Sequence, residues 1–186
     1  MSENPIQTPP STTAPSRSFG ERVVGALKLD ATVYDEVEHD PASIGQAAGV
    51  IGLAAIAEGL GGIGQGGAGA LLGGIFSAFL GWVLSCGIVW AIGVKGMNHT
   101  SDFPELLRTL GFASAPKLLL VLGVLPIGPL RGLLFLGVSV LTLVAFVIAV
   151  RQALDVTTGR AVLICVLAVG ASILLALFLG GMLTSL

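Results

Sequence analysis

The chain has 186 residues, 54% of them hydrophobic and only 11% charged, with a formal net charge of −2. Soluble domains carry about 25% charged residues, so this composition, with a mean hydropathy of +0.94, excludes an ordinary soluble domain. No basic patch interleaved with aromatics points to nucleic acid, and the sequence predicts an all-α, polytopic membrane protein.

Residues 1–18, MSENPIQTPPSTTAPSRS, are rich in Pro, Ser and Thr. They cannot bury enough apolar surface to offset ordering, and a disordered tail is expected. They contain no apolar core of a signal peptide, so the first span is expected to serve as its own insertion signal. Residues 19–40 are amphipathic. Phe19, Val23 and Leu27, then Ala31, Tyr34 and Val37, recur at spacings of three and four, which predicts one or two short helices lying along the membrane surface. Asp30 is placed to cap the second. Tyr34, Val37, Asp35, Glu36, Glu38 and Asp40 form a mixed apolar and acidic stretch, a candidate surface for a basic partner segment.

Five spans follow in residues 41–186. Asp40 and Pro41 read as N-cap and first helical residue of the first, about Pro41–Leu60, which holds Glu58 near its end. Gly59–Gly69 reads as a flexible linker. Its Gly62, Gly64 and Gly67 satisfy G-x-G-x-x-G, but no strand precedes them and no nucleotide site is expected. The second span is about Ala70–Val94. Gly73, Ser77, Gly81 and Ser85 recur every four residues and predict a helix-packing stripe, the usual means of close approach in lipid.

The polar loop Lys95–Glu105 comes next. Its Asn98-His99-Thr100 sequon is placed on the cytoplasmic side and is expected to be unused. The third span, Leu106–Pro126, is the most informative. It is apolar throughout except for Lys117, and Pro116 removes one helix hydrogen bond, predicting a kink. The fourth span is about Gly132–Val150. After the loop Arg151–Arg160, the fifth span, Ala161–Leu183, has its own stripe of Ala168, Ser172, Ala176 and Gly180.

His39 with its acidic neighbours, and His99 with Asp102, are the candidate metal positions. Two histidines far apart are a weak signal, and no metal or cofactor is expected. Cys86 and Cys165 fall within apolar runs and read as packing residues.

The cations fix the expected orientation. Arg17, Arg22, Lys28, Lys95, Arg108, Arg151 and Arg160 fall on one side of a five-span topology, and only Arg131 on the other. The positive-inside rule then predicts a cytoplasmic N-terminus and an external C-terminus in the cell (inner) membrane.

Three segments carry a family resemblance. DFPELLRTLGFASAPKLLLVLGVLP, VRQALDVTTGRAVL and ERVVGALKLDATVYDEVEHDP, with five spans and a cytoplasmic tail, resemble the Yip1 (Yip1/YIPF) family over about residues 20–184. Bacterial members often carry a Trp in the fourth span, where this chain has VSVLTLV. The resemblance implies a membrane protein without transferable catalytic residues. Eukaryotic members associate with lipidated Rab GTPases and with each other; the Ala/Gly/Leu-rich composition suggests a prokaryotic member, which lacks that system.

The expected function is a non-enzymatic scaffold or adaptor in the bilayer, associating with itself or with other membrane proteins. The alternative is a small permease or channel using Lys117 and Glu58, since ionisable groups within a membrane are functional candidates by default. No H-e-x-x-H, G-x-S-x-G or intramembrane carboxylate pair suggests an enzyme.

Overall fold

The computed structural model describes residues 17–61, 67–97 and 101–184; for residues 67–68, 176 and 178–184 it describes the backbone alone. The tail before Arg17, the centre of the glycine stretch, the sequon and Ser185 lie outside the described residues. Among the described residues all elements are helices. They are α1 (Phe19–Leu27), α2 (Ala31–His39), α3 (Ser43–Gly61), α4 (Gly67–Trp90), α5 (Phe103–Phe112), α6 (Leu130–Ala153) and α7 (Thr158–Thr184). A π-helical turn, Ala91–Gly96, extends α4, and a 3-10 helix, Ala115–Val124, continues α5. Five helical stretches are long and apolar enough to cross a membrane: Ser43–Gly61, Gly69–Gly96, Phe103–Val124, Leu130–Ala153 and Thr158–Leu175.

The two short helices are built by caps. Ser18 and Glu21 form a capping box on α1, and Asp30 accepts from the Thr32 amide at 3.0 Å to start α2. Between them the amides of Leu29 and Asp30 return to the carbonyls of Ala26 and Gly25. This reversal puts Leu29 at φ 60°, the left-handed region usually reserved for glycine.

The apolar face of α2 is turned into the protein. Val33, Tyr34 and Val37 are fully buried, and α2 packs against α5 and α6, sharing one core with Leu106, Leu110 and Ala153. Asp40 has the capping role expected of it: its side chain accepts from the Ala42 amide and its carbonyl from the Ser43 amide. Pro41 and Ala42 form a turn that leads into α3 at Ser43.

The third span is the centre of the bundle. In its 18-residue apolar window 61% of residues are buried, against 11% for that of the second span. It is capped by Asp102 and Glu105, then changes helix type. The α-helix stops at Phe112, and Ala113 and Ser114 form a turn. Pro116 then sits in the first turn of the 3-10 helix, where a missing N–H costs little. Ten residues at about 2.0 Å and ten at about 1.5 Å reach about 35 Å, enough to cross the hydrocarbon core.

The first span runs parallel to the third and touches it backbone to backbone. A β-carbon on Gly111 would lie 2.6 Å from Ala47 Cβ, and one on Gly123 would lie 2.9 Å from the Gly61 oxygen. The segment Gly59–Gly69, expected as a linker, is helical at both ends. At Gly61 the glycine serves this close approach, which offsets its low helix propensity.

Candidate functional site: a polar groove among the first three spans

The parallel packing of α3 and the third span brings Glu58 and Lys117 together. Glu58 lies three residues before the end of α3, and Lys117 lies seven residues before the end of the 3-10 helix, about 14 Å of rise from it. Their side chains meet across the helix pair, with Lys117 Nζ 4.0 Å from Glu58 Oε2. The pair is not enclosed: the side chains are 42% and 54% exposed. It borders an open cavity of about 480 Å³ lined by Ala54, Ala55 and Glu58 of α3, Ser77, Gly81, Trp82 and Ser85 of α4, Ser114 and Lys117 of the third span, and Phe146 of α6.

The small-residue stripe of α4 forms one wall of this groove. Ser77, Gly81 and Ser85 line it, and β-carbons built on Gly73 and Gly81 would meet nothing within 4 Å. Within a single chain, then, no described helix covers the stripe. α4 docks through a neighbouring face. Trp82 Nε1 donates to the Leu107 carbonyl at 3.2 Å, Cys86 lies against the Leu106 carbonyl, and Val89 and Gly93 are buried. Trp82 and Cys86 stand one position beyond Gly81 and Ser85, about 100° around the helix; Val89 and Gly93 continue the four-residue series past Ser85. On α7, Ala168 is buried and Ser172 donates to the Ala168 carbonyl; the side chains of Ala176 and Gly180 lie outside the described residues.

The acidic stretch of α2 is dispersed rather than displayed. Arg22, 2% exposed, donates to Glu36 at 2.9 Å, to Asp40 at 2.7 Å and to Gln46 at 2.9 Å. Arg17 adds a second contact to Glu36 at 3.3 Å. The hydrogen bond from Arg22 holds the Asp40 carboxyl below the usual range. Tyr34 is in the core, its hydroxyl donating to the Ala26 carbonyl. Glu38 is buried and Asp35 alone of the five is exposed. The single mixed patch expected of Tyr34, Asp35, Glu36, Glu38 and Asp40 is therefore not one open surface. The physical reason is that Arg22 recruits the acids inward while the aromatic ring fills the core. Replacing Arg22 with Gln should leave Asp40 without its cation and Glu36 with Arg17 alone. A drop in melting temperature that high salt partly restores is the expected result, measured by thermal unfolding in detergent.

Sequence reasoning missed two sets of residues. Gly61, Gly111 and Gly123 carry the close approaches to a neighbouring helix's backbone but do not repeat at a fixed spacing. Arg108, 7% exposed, donates to the carbonyls of Val37 and Glu38 at the end of α2. A buried arginine in an otherwise apolar run was the available signal for it.

The family model for the Yip1 domain matches residues 37–180. No curated protein and no solved structure matches the chain.

Proposed function

The chain belongs to the Yip1 family, and from that premise we propose that it is a non-enzymatic membrane scaffold whose groove receives a transmembrane helix from a second membrane protein or a second copy. The observation that carries this reading is the uncovered stripe of Ser77, Gly81 and Ser85 beside Lys117 and Glu58. Small residues at four-residue spacing accept another helix backbone closely. Serine hydroxyls and an ion pair left against lipid are unfavourable, whereas an incoming helix with a hydrogen-bonding side chain would satisfy them. Replacing Gly81 with Leu should leave the monomer folded, because the site is open, and abolish association. Mild-detergent size analysis and crosslinking read the two effects separately; unchanged association would contradict the scaffold.

A second reading rests on the same polar lining. If water fills the groove, Lys117 and Glu58 become a permeation or binding site. Replacing Lys117 with Met should then abolish solute movement in proteoliposomes. Under the scaffold reading there is no such flux to lose, and the variant weakens association instead.

The orientation belongs to this proposal. Seven of the placed cations fall on the N-terminal side, which supports a cytoplasmic N-terminus and external C-terminus. Cysteines introduced at Gln65 and Ser185 should react with an impermeant reagent from outside, and one at Asn98 only from inside. The reverse pattern at Asn98 or Ser185 would overturn the topology.

A further inference from the structure

A separate group of side chains lies at the C-terminal end of α2, away from the groove. Asp35, Glu38 and His39 stand at i, i+3 and i+4 of one helix and so share a face. Each places a potential ligand atom within 4.8 Å of the others. Acids beside a histidine are common on helix surfaces, and the spacing alone decides nothing.

Glu38 sets this group apart. It is 7% exposed, yet among the described residues its carboxylate has no hydrogen bond and no ion pair. Buried carboxylates are almost always partnered. Arg108, which reaches the end of α2, spends its guanidinium on the backbone carbonyls of Val37 and Glu38. The charges that face the Glu38 carboxylate are mostly of its own sign: Asp35 on α2, Glu105 on α5 and Asp155 in the turn after α6, opposed by His39. Burial, added to by those acids, pushes its carboxyl up to about 7. The carboxylate oxygens are not sealed off, since no fully enclosed side-chain oxygen lacks a partner among the described residues. A small cation therefore has access.

We infer that Asp35, Glu38 and His39 bind a divalent first-row metal cation of the Zn²⁺ or Mn²⁺ class. One imidazole and two carboxylates are a donor set suited to such ions, and the imidazole disfavours Mg²⁺ and Ca²⁺. His39 Nδ1 donates to the Asp35 backbone carbonyl at 2.9 Å. In the neutral ring this leaves the lone pair on Nε2, with the other nitrogen held by a carbonyl as metal-bound histidines usually are. The cation supplies the opposite charge that Glu38 lacks. It also draws the end of α2 toward the acids of α5 and the α6–α7 turn, so that metal binding stiffens the junction between the N-terminal helices and the membrane domain.

The test is a Zn²⁺ titration of the full chain, without a histidine tag, in detergent micelles. Calorimetry should show one saturable site per chain, and Zn²⁺ should raise the melting temperature. Asp35→Asn and His39→Asn, at exposed positions that tolerate change, should each weaken binding ~10-fold or more. Glu38→Gln should lose the Zn²⁺-induced shift while raising the melting temperature of the metal-free protein, because it removes a charge that burial and the neighbouring acids disfavour. A merely structural Glu38 would lower it. Absence of saturable binding, or binding unchanged in a combined Asp35→Asn and His39→Asn variant, would overturn the proposal.

Discussion

Replacing Gly61 with Val is expected to destabilise the membrane domain by about 3 kcal/mol, the upper end of the usual cost of overpacking. A β-carbon there would overlap the carbonyl oxygen of Leu120 and lie 3.0 Å from its carbon and 3.8 Å from Gly123 Cα. These neighbours are backbone, so no side chain can turn aside. The contact is reciprocal, since a β-carbon on Gly123 would lie 3.1 Å from Gly61 Cα. The first and third spans would have to separate, which would also break the approach of Glu58 to Lys117. Gly45 provides the control on the same helix: its β-carbon would meet nothing within 4 Å, and Gly45→Ala should gain up to ~1 kcal/mol from helix propensity. Thermal unfolding in micelles compares the two. Equal stability of Gly61→Val and Gly45→Ala would mean that the spans are not packed through glycine.

Replacing Arg108 with Met should release the N-terminal helices from the membrane domain. Methionine fills much of the arginine stem but donates nothing. The Val37 carbonyl would keep only Ser43 Oγ, at 2.8 Å, and the Glu38 carbonyl would lose its arginine donors. Hydrogen bonds to a charged group contribute about 1.5–3 kcal/mol each, so the loss is about 3 kcal/mol. Arg108→Lys should recover only part of it, because one ammonium cannot reproduce the forked donors. Limited trypsin digestion reads the result directly. Cleavage after Lys28 should become rapid in Arg108→Met while the five spans stay protected. Unchanged cleavage at Lys28 would show that α2 is held by its apolar face alone.

Hydropathy made the five spans legible, because length and polarity decide that question without reference to neighbours. Which face of each helix is covered is a different matter. Gly73, Ser77, Gly81 and Ser85 have the spacing of a packing stripe, but within this chain only the continuation of that series, Val89 and Gly93, is buried, together with Cys86 and the half-buried Trp82. Trp82 and Cys86 stand about 100° around the helix from Gly81 and Ser85, so spacing alone does not say which stretch is covered. The glycines that do meet a neighbouring backbone, Gly61, Gly111 and Gly123, form no repeat. The periodicity of the N-terminal helices was readable from Phe19 to Val37, yet an apolar face suits protein and lipid alike, and only the fold assigns it to α5 and α6. Pro116 marked a disturbance in the third span. The α-helix ends at Phe112, four residues before Pro116, where the ring would meet the helical carbonyl, and the 3-10 helix follows from Ala115; a 3-10 continuation rather than a kinked α-helix is not legible from the proline alone. Glu58 and Lys117 stood out individually as charges in apolar surroundings; their approach depends on the parallel placement of two spans separated by a third.

The central claim is that a protein helix occupies the groove beside Gly81. A photoreactive residue placed at Ser77 or Gly81, and at Val83 on the far side of α4, tests it in native membranes. Irradiation from Ser77 and Gly81 should give adducts with a discrete membrane protein, either this chain or another, while Val83 gives lipid adducts. Lipid or water adducts alone from Ser77 and Gly81 would contradict the scaffold, and water adducts would favour the permeation reading.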